Sequence, residues 1–314
     1  MCSYEILCNT RNLTREEWLS FRRYGIGGSD ASVVAGCNPY RSIFELWKDK
    51  RGEMPIAEED SEVTHFGTIL EEVVRKEFVT RTGIKVRKKN AILRSKKYPY
   101  MLADLDGVVS ESDGTYSIFE AKTATEFKNT DWKDGKIPAP YQMQLQHYFT
   151  VTGFSKAYIA ALVGGNKFYW YEIYRDEQLI KMLISMEAHF WQCVQSGEKP
   201  STDGSKATEL YLGQEYAKVK KGSVIHLEEG MARKITEYES LKEQMEILSE
   251  EKRKIENQFK EMLGENETAR VGEHFVKWKA VEQTRIDAEK LKKEYSNAYN
   301  ACVKKVSYRR FSVA

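Results

Sequence analysis

Asp106, Glu120 and Lys122 stand within one short stretch, residues 101–122, MLADLDGVVSESDGTYSIFEAK. Val108 and Val109, and residues 116–119, are strand formers, with turn chemistry at Ser112, Asp113 and Gly114 between them. Side chains alternate across a strand, so Ile118, Glu120 and Lys122 share one face while Phe119 and Ala121 take the other. Folding the hairpin about Asp113 brings Asp106 opposite, or within one residue of, Glu120. Two carboxylates and an ammonium then converge on a patch that suits a hard divalent cation and ill suits a packed core. This is the site logic of metal-dependent phosphodiester hydrolysis. Oxygen ligands hold one or two Mg2+ ions, roughly 4 Å apart in two-metal sites. The lysine positions or helps deprotonate water and offsets phosphate charge. A Leu-Asp-Gly turn followed by a solvated strand end reads equally well from the same residues, and the hairpin alone does not choose.

The chain of 314 residues is long enough for one large domain, or a domain of about 200 residues with an appendage. Forty-nine Lys+Arg against 47 Asp+Glu leave a net charge of +2, so any basic groove must come from local arrangement. No run approaches the roughly 18 apolar residues of a membrane span. The first ten residues, MCSYEILCNT, lack the basic-then-apolar pattern of a signal peptide. Five scattered cysteines (Cys2, Cys8, Cys37, Cys193, Cys302) without a CxxC pair point to a reducing cytosol and against zinc or an iron–sulfur cluster. No GxxxxGK[ST] occurs, which argues against an ATP-driven motor.

Other elements must position the hairpin. A helix through Trp18 and Phe21 meets a glycine-rich turn at residues 25–28, after which Ser29 is expected to cap a short helix. Arg22 and Arg23 lie just upstream, and free amides at a helix start attract anions, so this turn can bind phosphate. Ser42 and Glu45 form a capping box for a helix that stops near Gly52. Residues 66–78 read as a helix on which Gly67, Glu71, Val74 and Phe78 share a face, leaving Glu71 on an otherwise apolar stripe. Beyond a polar connection at residues 123–136, residues 141, 144, 145, 148 and 149 form one face of a further helix. Two strands, 157–163 and 168–174, make a second hairpin. An amphipathic helix covers 178–195, and the Ser/Thr/Gly/Lys-rich segment 197–208 is the best boundary.

The remainder is different in kind. Met231, Tyr238, Met245 and Phe259 recur as a positions and Leu241, Leu248, Ile255 and Met262 as d positions, with Lys252 at the missing a position. That predicts a coiled-coil-like helix ending at Gly264. Two strand-like segments (268–271 and 274–279), an amphipathic helix carrying Leu291, Tyr295, Ala298 and Cys302, and a basic-aromatic strand at 306–313 follow. His147 receives no metal role, since no second His or Cys keeps ligand spacing.

The hairpin resembles the PD-(D/E)XK nuclease signature, Asp106-Gly107 followed by Glu120-Ala121-Lys122, with Leu105 where that signature often has proline. The strings GIGGSDAS and NPYRSIFELWKDKRGE further resemble the amino-terminal signature of the YqaJ-like viral recombinases, relatives of the lambda-type exonuclease. The resemblance covers roughly residues 18–175 and the Tyr308–Phe311 string more loosely. It implies an α/β fold with a restriction-endonuclease-like core of a mixed sheet flanked by helices. With the boundary at 197–208 and the heptads beyond it, the expected division is a nuclease domain over residues 1–200 and a helical, coiled-coil-like arm with short C-terminal strands over 201–314. The resemblance implies Asp106, Glu120 and the Ala121 carbonyl as metal ligands and Lys122 beside the water. Glu71 (in G-x-x-x-E, through water) and Gln144 (in YxxQxQ, with Tyr141 on the same side) complete the shell. Arg23 and Ser29, with Arg22, are expected to bind a DNA 5′ phosphate. The expected cofactor is Mg2+, with Mn2+ as a substitute. The expected activity is ATP-independent resection of double-stranded DNA ends, 5′ to 3′, in the cytoplasm of a bacterial host. The 3′ strand is left for an annealing protein, and related enzymes assemble as trimeric rings. Two alternatives stay open: an endonucleolytic or structure-specific DNase, and a non-catalytic scaffold acting through the coiled coil.

Overall fold

A computed structural model describes residues 3–56, 61–304, 306 and 308–313. Cys2 and Ser307, part of the cysteine pattern and of the tail strand read from the sequence, lie outside the described residues.

The chain divides into two compact units, Met1–Glu215 and Tyr216–Ala314. In the first, the elements run β1 (Tyr4–Asn9), α1 (Arg15–Arg22), α2 (Gly28–Val34), α3 (Ile43–Lys50), α4 (Glu62–Thr82), β2 (Val86–Arg87), β3 (Ala91–Ser95), β4 (Leu102–Asp104), β5 (Gly107–Ser110) and β6 (Tyr116–Ala124). After a 3-10 turn at Glu126–Asp131 come α5 (Ala139–Thr152), β7 (Lys156–Val163), β8 (Lys167–Tyr174), α6 (Glu177–Ser196) and α7 (Lys206–Glu215).

A five-stranded mixed sheet, in the order β2-β5-β6-β7-β8, forms the core. The expected hairpin is β5–β6, and β6 pairs in parallel with β7 through the α5 crossover. Alternation along β6 decides which helix covers which face. Ile118 packs with Leu145 and Phe149 of α5. Phe119 packs with Val74 and Phe78 of α4, the Phe78–Phe119 ring centres lying 5.0 Å apart. The sheet is thus held between α4 and α5, the helix-flanked mixed sheet expected of the restriction-endonuclease-like fold. Close packing at the hairpin's start needs glycine: a Cβ on Gly107 would lie 2.4 Å from Val86 Cγ1.

Several expectations need correction. A second antiparallel sheet, β1-β3-β4, was not legible in the sequence. Its strand β4 leads into Asp106, and Met101 just before it bridges to Ile26, which draws the glycine-rich turn onto the sheet. Ser29 does not cap α2. Gly27 does, and the Asp30 carboxylate returns to accept the Gly27 N–H at 2.9 Å. The 123–136 connection is not merely polar: β6 continues to Ala124, and Trp132, 1% exposed, stacks on Tyr141 with ring centres 5.5 Å apart. The face read into α5 is too narrow, because residues 144–149 are all buried. The capping box of Ser42 and Glu45 forms as expected. Helix α7 lies beyond residue 200 yet packs on α3, with Tyr211 against Phe44 (5.7 Å between centres) and Lys48 Nζ 3.0 Å from Glu215, so the first compact unit runs to Glu215.

In the second unit, α8 (Ala232–Leu263) is a 32-residue helix closed at Gly264. Its d positions Leu241, Leu248 and Ile255 are exposed. Strands β9 (Thr268–Val271) and β10 (His274–Lys277) form a hairpin. The expected single helix is two, α9 (Ala288–Glu294) and α10 (Ser296–Cys302), because Tyr295 leaves helical geometry at φ −130, ψ 49. Residues 308–313 form no strand: Arg309 donates to the Tyr216 carbonyl at 3.0 Å and Phe311 packs edge-on against Tyr238. Among the described residues, no helix is long and apolar enough to cross a membrane.

Candidate active site

The β5–β6 register sets the site. Gly107 stands opposite Phe119, so Asp106 falls beside Glu120. Asp106 Oδ2 accepts the Ala121 N–H at 2.8 Å, which fixes the carboxylate against β6. Glu120 is 2% exposed, and its Oε1 accepts from Lys122 Nζ and from Gln144 Nε2, each at 2.6 Å. Lys122 also donates to Gln144 Oε1 at 3.1 Å and stands 5.0 Å from the centre of the Tyr141 ring. Gln144 therefore bridges acid and base through both ends of its amide. Its Nε2 donates further to Tyr148 Oη at 3.1 Å, and that hydroxyl donates to the Asp104 carbonyl at 2.8 Å.

Electrostatics follow from burying like charges together. Burial, then Asp106 and Glu71, push the Glu120 carboxyl up to about 8 against the opposing pull of Lys122. Burial likewise raises Asp106, although Lys122 and the Ala121 N–H act the other way. Glu71 rises to about 7 through burial and Asp106, with Lys88, 3.8 Å away, opposing. Burial disfavours the Lys122 ammonium, but Glu120 and Asp106 outweigh it and raise its pKa, so Lys122 stays protonated and acts as a donor.

These residues fit a hard cation. Glu120 Oε2 is buried without a hydrogen-bond partner, and the carboxyls of Glu71, Asp106 and Glu120 are all raised although Lys122 and Lys88 oppose the shift, so three acids share two nearby ammonium groups. Among the described residues no group of three or more His, Cys, Asp or Glu side chains is arranged to hold a metal ion by itself. A Mg2+ ion needs only one or two protein carboxylates, its other ligands being waters and substrate phosphate, and Asp106 and Glu120 would supply two.

The floor opens into a cleft of about 840 Å3 whose walls include Arg22, Gly28, Ser29, Gly67, Glu71, Asp104 and Lys88. Arg22 Nη2 donates to Ser29 Oγ at 2.7 Å, so these two expected phosphate-binding residues meet at the cleft. Arg23 does not join them. It is turned away to Asp49 (2.9 Å) and the Met54 carbonyl (2.7 Å). His147 is fully engaged in the core, its Nδ1 2.9 Å from Glu187 and its Nε2–H donating to the Leu102 carbonyl at 2.8 Å.

Sequence reasoning missed Asp104, whose Oδ2 accepts the Trp18 indole N–H at 2.6 Å, and Tyr148. Tyr148 had a signal, one turn after Gln144 on the same face. Asp104 had only its place two residues before Asp106. Gly28 is the other overlooked position: a Cβ there would lie 2.4 Å from Tyr148 Cε1 and 2.9 Å from Gln144 Cγ. Gly28→Ala is expected to push α5 off the turn, lowering the urea midpoint and the turnover together, the latter on the order of a hundredfold. Wild-type turnover in a folded Gly28→Ala protein would show that α5 tolerates the shift.

The YqaJ-like viral recombinase domain matches residues 17–155. The YqaJ protein of Bacillus subtilis (strain 168) is 41% identical over 312 residues, 98% of this chain and 97% of the relative. The chain belongs to the YqaJ-like viral recombinase family. The matched segment of this family member holds every cleft-floor residue described above, and the relative spans the second unit as well. Among solved structures, the alkaline exonuclease LHK-Exo from Laribacter hongkongensis is similar at 19% identity and TM-score 0.47, over 64% of this chain and 98% of that one. Its complex with dAMP gives 20% identity and the same score and coverage. A phage-related exonuclease from Haemophilus somnus 129PT is similar at 15% identity and TM-score 0.39, over 56% and 96% of the two chains.

Proposed function

We propose that this YqaJ-family chain is a recombination exonuclease. It hydrolyses phosphodiesters from double-stranded DNA ends, 5′ to 3′, with Mg2+ (or Mn2+) and without ATP, in the bacterial cytoplasm. The observation that carries the reading is the convergence of Asp106, Glu120 and Lys122 with Gln144 at the floor of one cleft, with Glu71 in its wall. Family membership supports it, and the 3′ strand produced is a substrate for an annealing partner. Assembly as a homo-oligomeric ring belongs to the same reading.

Mg2+ held by Asp106, Glu120 and the Ala121 carbonyl would polarise the scissile phosphoryl group and offset its charge. Lys122, kept protonated by its two carboxylates, donates from Nζ to the attacking water or to a phosphate oxygen. Gln144 orients Glu120 and Lys122 without adding charge. Glu71, titrating near neutrality, is the carboxyl best placed to exchange a proton at the cleft edge. Arg22 and Ser29 receive the terminal 5′ phosphate through charge-assisted hydrogen bonds.

The test is linear duplex DNA with and without a 5′ phosphate, beside a closed circle, in Mg2+ or EDTA. Expected are nucleotide release in Mg2+ alone, faster from phosphorylated ends, none from the circle, and loss of release in Asp106→Ala. Cutting of the circle would make the enzyme an endonuclease. No degradation at all, with DNA binding retained, would overturn the enzymatic reading.

A further inference from the structure

Two loops line the cleft at one end of the three-stranded sheet, and of their residues only Lys88 has a role so far, beside Glu71. The β1–α1 loop contributes Thr10 and Arg11, and the β2–β3 loop contributes Lys88, Lys89 and Asn90. Sheet pairing holds them side by side: Asn9 pairs with Ala91, and the Thr10 N–H donates to the Asn90 carbonyl at 3.1 Å. Arg11 and Lys88 are exposed, and Lys89 is half-buried with its ammonium 5.8 Å from the centre of the Tyr4 ring. Lys88 is partly committed, 3.8 Å from Glu71 and 3.5 Å from Glu72. Counting the whole lining, six cations face four carboxylates in a chain whose net charge is only +2. The carboxylates Asp106 and Glu120 converge on the cleft floor, whereas these loops bring cations, a hydroxyl and a side-chain amide to its wall.

We propose that the Thr10–Arg11 and Lys88–Asn90 loops form a second anion subsite that grips the phosphodiester backbone of the DNA strand away from the reacting phosphate. The inference rests on the nuclease reading for the identity of the ligand. The chemistry itself asks only for a polyanion with spaced phosphates. Arg11 and Lys89 meet non-bridging oxygens as charged donors, and Thr10 and Asn90 add neutral hydrogen bonds that fix register. A cleft of about 840 Å3 has the size of a pocket for one modest ligand, so what enters is a few nucleotides of one strand rather than a duplex.

The experiment measures binding of a labelled, 5′-phosphorylated linear duplex in EDTA between 50 and 200 mM salt. It compares wild type with the double variant Arg11→Ala, Lys89→Ala. Losing two phosphate contacts flattens the slope of log K against log salt by roughly 1.8, so the variant's affinity loss across this range is about tenfold smaller than wild type's. Arg11→Lys with Lys89→Arg keeps both charges and restores the slope. Removing two exposed lysines elsewhere, Lys97→Ala with Lys181→Ala, leaves the slope unchanged. A wild-type slope in the Arg11/Lys89 variant, or an equal change in the Lys97/Lys181 control, overturns the subsite. Binding is read without catalysis, so the two readings fail separately. A wild type that never degrades DNA but shows the slope difference loses the nuclease and keeps the subsite.

Discussion

Glu120→Gln is expected to lower nucleotide release on the order of a thousandfold while raising the melting temperature of the metal-free protein at pH 8, with little change at pH 5. The activity loss follows from removing a metal-binding carboxylate at the floor of the cleft. The stability gain follows from the charge that Glu120 must carry. Burial first, then Asp106 and Glu71, lift its pKa from the ordinary 4.5 to about 8. Between those values the folded chain holds a proton that the unfolded chain has released. The stability this contributes is complete below the unfolded value and is lost as pH rises through the folded one. Glutamine carries no charge at either pH and still offers an oxygen to Lys122 and Gln144, so the variant escapes that loss. Mg2+ should stabilise wild type at pH 8, because binding to the folded state alone shifts unfolding, and should do little for the variant. Scanning fluorimetry in EDTA and in Mg2+ at both pH values checks the pattern. Parallel melting curves for the two proteins would mean that repulsion among the buried carboxyls is not what strains the metal-free site.

Asp30→Ala is expected to be the most destabilising change near the glycine-rich turn, about 3–5 kcal/mol by the usual cost of breaking a buried ion pair. Asp30 is 2% exposed, and its Oδ2 stands 2.7 Å from Lys50 Nζ, itself a buried side chain, while accepting the Gly27 N–H. Its Oδ1 is 3.5 Å from Arg22 and 3.7 Å from Arg41. Burial works against this carboxylate, but Lys50, Arg22 and Arg41 outweigh it and hold its pKa well below the usual range. Its contribution is therefore complete above the ordinary aspartate value and is lost as pH falls toward the depressed one. The alanine variant leaves the Lys50 ammonium buried without its carboxylate and frees Arg22 from one of its anchors. The preference for 5′-phosphorylated ends should shrink along with the urea midpoint. Asp30→Asn keeps an acceptor for Gly27 and should recover only the capping part, about 1 kcal/mol. An unchanged urea midpoint in Asp30→Ala would show that Lys50 is satisfied by the Arg22 carbonyl, 2.8 Å away.

Local chemistry determined much of this protein. The Asp113-Gly114 turn and the period of two along residues 116–122 decide that Asp106 meets Glu120 and that Lys122 lies on the same face. A capping box at Ser42 and Glu45 needs only four consecutive residues, and the helical period places Glu71 above Gly67 and Gln144 above Tyr148. The choice between neighbours lay elsewhere. Arg22 and Arg23 are equal in sequence, yet Asp49 and the Met54 carbonyl, 26 and 31 residues away, claim Arg23 and leave Arg22 to the cleft. Ser29 reads as the better cap, but the buried Asp30 network makes Gly27 the capping residue and turns the serine hydroxyl toward Arg22. Strands β1, β3 and β4 are short, and their pairing joins residues 4–9 to residues 91–95, so the loops carrying Arg11 and Lys89 become neighbours only when the sheet closes. Side-chain period and turn chemistry are properties of a few adjacent residues and are written in the sequence. Which cation finds which carboxylate, and which loops share a wall, depends on contacts that loop closure makes only in the folded chain.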